Sequence, residues 1–147
     1  MRFRPATRSD HDVLARMNQQ LIRDEGHRNK MTLPELVHRM QEWLENEYQA
    51  ILFEQNDVAA GYALFRHEPD HVYLRQFYVD AAHRRKGIGR AALQWLSANP
   101  WKNVRRCRID VLAGNRTGID FWKATGFSEY CVTMEMENPA FEGRSLH

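Results

Sequence analysis

No other stretch constrains the fold as tightly as Leu74 to Leu96, LRQFYVDAAHRRKGIGRAALQWL. Val72, Leu74, Phe77, Tyr78 and Val79 supply the apolar and aromatic side chains of a strand. Seven mostly polar residues follow, Asp80 to Lys86, and Gly87-Ile88-Gly89 then opens a helix. Its apolar positions Ile88, Ala92, Trp95 and Leu96 recur at helical spacing, and Asn99-Pro100 ends it. A helix N-terminus presents unpaired N–H groups and a partial positive charge, and glycine lets a ligand approach that backbone closely. Arg84, Arg85, Lys86 and Arg90 crowd the same end, so the segment is suited to hold phosphate.

Three kinds of phosphate site share these letters. A P-loop requires Lys-Ser/Thr after its second glycine, whereas Gly89 is followed by Arg90-Ala91. The dinucleotide fingerprint fits the spacing Gly87-Ile88-Gly89-Arg90-Ala91-Ala92, with Asp110 about 20 residues on. That fingerprint needs a tight turn directly after its strand, but seven residues separate Val79 from Gly87, and Asp110 is expected inside a strand. The third pattern is Arg/Gln-x-x-Gly-x-Gly/Ala after a strand that ends in an aromatic-Val pair. Arg84-Arg85-Lys86-Gly87-Ile88-Gly89 after Phe77-Tyr78-Val79 fits it at every position. Here the chain resembles the GNAT N-acetyltransferase superfamily, whose members bind acetyl-CoA in this loop.

A chain of 147 residues is expected to form one domain (1–147) and to bury roughly two-thirds of its unfolded surface. No segment approaches the roughly 20 apolar residues of a membrane span, and the polar N-terminus does not read as a signal peptide. Cys107 and Cys131 lack metal or redox spacing, and are expected to be buried thiols in a cytoplasmic protein. The formal net charge of +2 hides a local basic concentration that favours a discrete anionic ligand over a nucleic acid.

In chain order, Met1 to Ala6 reads as a short strand. Ser9 with Asp12 spells a capping box ahead of a helix faced by Val13, Leu14, Met17 and Leu21. Arg23 to Lys30 reads as a loop. Thr32 and Glu35 form a second capping box, and Leu36, Val37, Met40, Trp43 and Leu44 carry a second helix to about Asn46. Strands at Tyr48 to Phe53 and Val58 to Phe65 flank a hairpin signal, Gln55-Asn56-Asp57. After the glycine-opened helix come a strand at Arg106 to Leu112, a helix from Asn115 to Thr125 stopped by Gly126, and a last strand alternating through Tyr130, Val132, Met134 and Met136. Residues 138–147 read as a loose tail.

Strand, two helices, three strands, helix, strand, helix, strand is the order of the GNAT fold, a mixed-sheet α/β architecture. A second match runs from Asn115 to Phe127, and looks like the family's helix of Asn, three residues, Ile, an aromatic pair and Gly-Phe. The resemblance implies that the backbone from Phe77 to Val79 contacts the cofactor, with an amide of Tyr78 or Val79 facing the developing oxyanion. It implies that the N–H groups of Arg84, Arg85, Lys86, Gly87, Ile88 and Gly89 hold the pyrophosphate, with charge from Arg84, Arg85 and Arg90. Asn115 would hold the pantetheine arm, and Phe121, Trp122 and Lys123 would line its far side.

One departure from the pattern is Trp122, where many members place a tyrosine that protonates the leaving thiolate. A thiol of pKa about 8.5 lies about 1.5 units above neutrality, so losing that acid costs roughly 2 kcal/mol and weakens rather than abolishes transfer. Neutralising the attacking amine matters more: about 4.6 kcal/mol for a lysine-type amine at pH 7, about 1 for an α-amine. Candidate bases are Glu25, ranked first, and Asp24, both in the loop that overlies the family's acceptor site, together with Tyr73 on the central strand. The resemblance implies an acetyl-CoA-dependent N-acetyltransferase acting on a primary amine by direct attack in a ternary complex, without metal. The main alternative is a non-catalytic acyl-CoA-binding module, motivated by Trp122. Homodimerisation through the last strand is compatible with the sequence.

Two decoys are set aside. His67-Glu68-Pro69-Asp70-His71 spells a zinc-protease pattern, but Pro69 and the flanking strands deny it the helix that would bring both histidines to one face. Trp101 to Arg108 is basic with an aromatic lead, and a basic turn feeding a strand accounts for it as well as nucleic-acid contact does.

Overall fold

A computed structural model of the chain describes residues 1–143. It divides into two compact units, one of residues 1–115 and one that begins at Arg116. The first is built on a five-stranded mixed sheet in the order β1-β2-β3-β4-β5. Strands β1 (Arg2–Pro5), β2 (Tyr48–Gln55), β3 (Val58–His67) and β4 (Val72–Val79) are antiparallel neighbours, and β5 (Cys107–Ile109) joins β4 in parallel. The β2–β3 hairpin turns on Asn56 and Asp57, at φ 52° and 64°, the positive values that a two-residue turn demands.

Strand alternation separates two apolar layers. Ala50, Leu52, Tyr62, Leu64 and Tyr78 pack with Leu14, Met17 and Leu21 of α1 (His11–Asp24) and Met40 of α2 (Leu33–Glu45). On the opposite face Phe53 meets Phe3 and Phe77, and Phe3 stacks on Trp95 of α3 (Ile88–Ala98) at 5.4 Å. Each buried side chain of this size contributes about 1.5–3 kcal/mol relative to exposure.

The entry to α1 differs from the expected Ser9–Asp12 box. The cap lies two residues earlier, where Asp10 accepts the Thr7 N–H at 2.7 Å. Asp10 is drawn there by Arg4, whose guanidinium binds both its oxygens at 2.9 Å. At α2 the expected Thr32–Glu35 box forms.

β5 pairs only from Cys107 to Ile109, shorter than the 106–112 expected. The cause lies in β4, whose register against β3 slips between Leu64/Phe65, with Leu64 opposite Gln76 and Phe65 opposite Leu74. Arg75 is the extra residue, and such a bulge bends its strand away from the next one. Asp110 therefore lies past the strand's carboxyl end rather than inside it.

In the second unit α4 (Arg116–Ala124) ends at Gly126, φ 110°, and the Phe127 N–H returns to the Trp122 carbonyl at 3.0 Å. The expected last strand does not form: residues 130–137 have no strand assignment, and Tyr130, Val132, Met134 and Met136 are all strongly exposed. Alternation makes a segment competent for a sheet, but a strand exists only where an edge pairs with it. Cys131 is exposed there, against the expectation of burial, whereas Cys107 is partly buried and its thiol is pushed up to about 12 by desolvation. Of the expected tail, residues 138–143 are exposed, and 144–147 lie outside the described residues.

Candidate active site

Strand β4 and the turn that follows it organise the site. Past Leu74 no β5 residue pairs with β4, so the two strands part and leave the far half of β4 with an open edge. On its other edge β4 stays paired with β3 to Gly61↔Val79, and the Asp80 N–H donates to the Ala60 carbonyl at 2.7 Å. Antiparallel hydrogen bonds alternate in direction along a strand. The Tyr78 amide is thereby turned toward β3 and the Val79 amide toward the open edge. Of the two amides expected to face an oxyanion, the geometry leaves Val79 the one on the open side. Gly61 makes this approach possible, because a Cβ there would lie 2.1 Å from the Tyr78 carbonyl oxygen.

After Val79 a short turn of 3-10 helix at Ala81–His83 leads into the basic loop. Arg85 has φ 63° and Gly87 φ 78°, left-handed values on either side of Lys86. Gly87 is the N-cap of α3, which has neither a side-chain cap nor an acid in its first turn. The first intrahelical bond runs from the Ala91 N–H to the Gly87 carbonyl, so the amides of Ile88 and Gly89 point out of the helix end. Arg85, Lys86, Gly87 and Arg90 are exposed around it. A positive helix end ringed by cations and lacking an internal anion fits a phosphate ligand.

Arg84 does something the sequence did not signal. Its Nε donates to the Val79 carbonyl at 2.7 Å and its Nη2 to Asp24 Oδ2 at 2.6 Å. The side chain thus ties the end of α1 to the end of β4, rather than standing free as one more phosphate cation. Asp24 is the last residue of α1, not part of a loop as expected, and lies at the negative end of the helix dipole, where Arg84 offsets its charge. Burial alone would raise its carboxyl, but hydrogen bonds from Gln20 and Arg84 outweigh that and hold it below the usual range.

Glu25, the next residue, behaves oppositely: burial and the neighbouring Asp24 charge push its carboxyl up. Tyr73 donates its hydroxyl to Asp110 at 2.8 Å, and burial with that bond raises the phenol to about 12. Of the three candidate bases, Glu25 alone combines a raised carboxyl with a side chain that makes no hydrogen bond or ion pair among the described residues.

Asn115 closes the first unit, with its N–H on the Leu112 carbonyl at 2.9 Å. In the second unit Trp122 is buried between Phe121 and Phe127, with ring centroids 4.9 and 5.1 Å away, and Lys123 pairs with Glu129 at 3.1 Å. The His67–His71 segment is a turn rather than a helix: the Glu68 N–H bonds the His71 carbonyl, Glu68 pairs with Arg66, and His71 with Asp70.

The sequence profile of the acetyltransferase (GNAT) family matches residues 15–127. The chain belongs to that family. Its fold recurs in solved structures that share little sequence with it. One is a tetramutant of the BH1408 protein from Bacillus halodurans, 22% identical, TM-score 0.79, covering 94% of this chain and 100% of that one. A predicted acetyltransferase from Clostridium acetobutylicum, solved with acetyl-CoA, is 19% identical with TM-score 0.74 over 92% of this chain and 95% of that one. An aminoglycoside N-acetyltransferase, AAC(6')-Iy, solved with CoA, is 17% identical with TM-score 0.72 over 95% of each chain. Among curated protein sequences none matches significantly. Among the described residues of this GNAT chain, no helix is long and apolar enough to cross a membrane.

Proposed function

We propose that this protein transfers acetyl from acetyl-CoA to a primary amine by direct attack within a ternary complex. The observation that carries the reading is the uncapped, acid-free N-terminus of α3, set behind a left-handed basic loop at the end of the strand whose edge opens. Membership of the GNAT family and the acetyl-CoA and CoA complexes of its structural relatives support it.

In this reading the amides from Arg85 to Gly89 receive the pyrophosphate, with Lys86 and Arg90 adding charge. Arg84 holds β4 and α1 together, and so positions the loop. The Val79 amide, on the open edge, donates to the carbonyl oxygen as it becomes anionic; one such donor is worth about 3–4 kcal/mol. Glu25 takes the proton of the attacking amine, because its raised carboxyl is a better base than the ion-paired Asp24 or the phenol of Tyr73. By the family resemblance, Asn115 of the first unit is assigned to the pantetheine arm, as are Phe121, Trp122 and Lys123 of the second unit. With Trp122 buried and no phenol at its position, the departing thiolate is protonated by water.

The test is thiol release from acetyl-CoA against a panel of amines, with product mass locating the acetyl group, alongside calorimetry with acetyl-CoA. Saturable binding with acceptor-dependent release supports the reading. Binding without release from any amine favours an acyl-CoA-binding module, and no binding at all removes both. Exchanging Lys86 for Glu should weaken acetyl-CoA binding at least tenfold.

A further inference from the structure

On the α1/α2 side of the sheet two guanidiniums share one aromatic ring. The Arg39 Cζ lies 4.4 Å, and the Arg75 Cζ 4.6 Å, from the Trp43 ring centroid. The bulge creates this meeting, because Arg75 and Gln76 both turn to the side that carries Tyr48 and Tyr62. Nearby Arg66 is neutralised by Glu68 at 2.5 Å and Glu47 at 3.5 Å. Among the described residues neither Arg39 nor Arg75 has a carboxylate in ion-pair contact, and burial and the Arg75 charge both bear against the Arg39 cation.

Asn18, against Arg39, is 1% exposed, and its Oδ1 already accepts from Arg39 Nη2 at 3.1 Å. What remains there is donors: Asn18 Nδ2 and Arg39 Nε are both buried without an acceptor. Two cations on one ring over orphaned donors form an incomplete site, and the missing component is an oxyanion.

We propose that Arg39 and Arg75 hold an oxyanion of the acceptor, so that the substrate is a primary amine bearing a carboxylate or phosphate at its far end. This rests on the acetyl-transfer reading above. Arg75 lies four residues, about 13 Å of strand, from Val79. The path between them passes Gln76, which accepts from the Tyr62 hydroxyl at 2.7 Å, and the Glu25 charge acts on that same tyrosine. An elongated acceptor therefore has its amine at Glu25 and its anion at Trp43. Polycations such as aminoglycosides, the acceptors of one structural relative, meet like charge here.

The experiment compares ω-amino carboxylates, the matching ω-amino phosphates and the neutral ω-amino amides of graded chain length. Each is titrated into protein saturated with CoA, and each is assayed for kcat/KM with acetyl-CoA. One anionic series is expected to exceed its amide at least tenfold in both readouts, which also identifies the anion. Arg75→Gln, at an exposed position, and Arg39→Gln should bring anion and amide to parity with CoA affinity unchanged, and Arg75→Lys should retain part of the preference. Parity in the parent protein, a preference that survives both Gln variants, or better binding of diamines would overturn the proposal. If acetyl-CoA itself fails to bind, the transfer reading falls instead, and the same titrations without CoA still read the arginine site.

Discussion

Replacing Gly61 with alanine tests the geometry on which the site depends. The backbone at Gly61 is not left-handed, so the substitution meets a purely spatial obstacle. The new Cβ would stand 2.1 Å from the Tyr78 carbonyl oxygen and 2.9 Å from Phe53 Cδ2. A carbon rests about 3.3 Å from a carbonyl oxygen, so β3 and β4 must separate by about 1 Å at the Gly61↔Val79 pair. Overpacking of this severity costs about 3 kcal/mol, which for a chain of this size lowers Tm by about 6–12 °C. Because the strain falls beside Val79, turnover of surviving folded protein should drop as well. Gly87→Ala is the control: nothing lies within 4 Å of its Cβ, and φ 78° alone should cost about 1–2 kcal/mol. Thermal melts followed by circular dichroism decide the matter. If Gly61→Ala melts within 2 °C of the parent, or above Gly87→Ala, the close approach of β3 to β4 is not what requires glycine.

Glu25→Gln should lower kcat about 100-fold or more and abolish the acid limb of the pH–rate profile, which in the parent is displaced upward because burial and the Asp24 charge raise the carboxyl; acetyl-CoA affinity should not change, and an unaltered profile rejects the role. Tyr73→Phe, which removes only a hydroxyl bound to Asp110, should leave turnover within about threefold. The Asp10 carboxyl is held at about 2, chiefly by Arg4, and a carboxyl near 2 rather than near 4 corresponds to about 2 kcal/mol. Its folded value is depressed, so this stabilisation is complete above pH 4 and lost as pH falls through 2; Asp10→Asn should melt lower at pH 7, with the gap closing below pH 3. With a thiol reagent at pH 8 the native protein should label at exposed Cys131 and not at Cys107, and mass mapping of the adduct reads this directly.

Local chemistry determined much of this protein. Gly87 before an apolar helical stripe, the Thr32–Glu35 box and the Asn56-Asp57 turn act within a few residues, so spacing alone revealed them. Where long-range partners compete, reading in one dimension failed. Asp10 caps two residues early because Arg4 pulls it, and Arg84 turns to the Val79 carbonyl and to Asp24, which lies within reach 60 residues away in sequence. The alternation from Tyr130 to Met136 suits a strand, yet that segment joins no strand of the sheet and its apolar side chains are exposed. Gly61, a glycine inside a strand, was the one available sign that backbones converge there. Nothing in the letters marked the bulge at Arg75. It arises from register between β3 and β4, and it decides both where the β4 edge opens and that Arg75 joins Arg39 on Trp43. A side chain's neighbours along the chain set its backbone, whereas the charges and carbonyls that answer it are chosen only when distant segments meet.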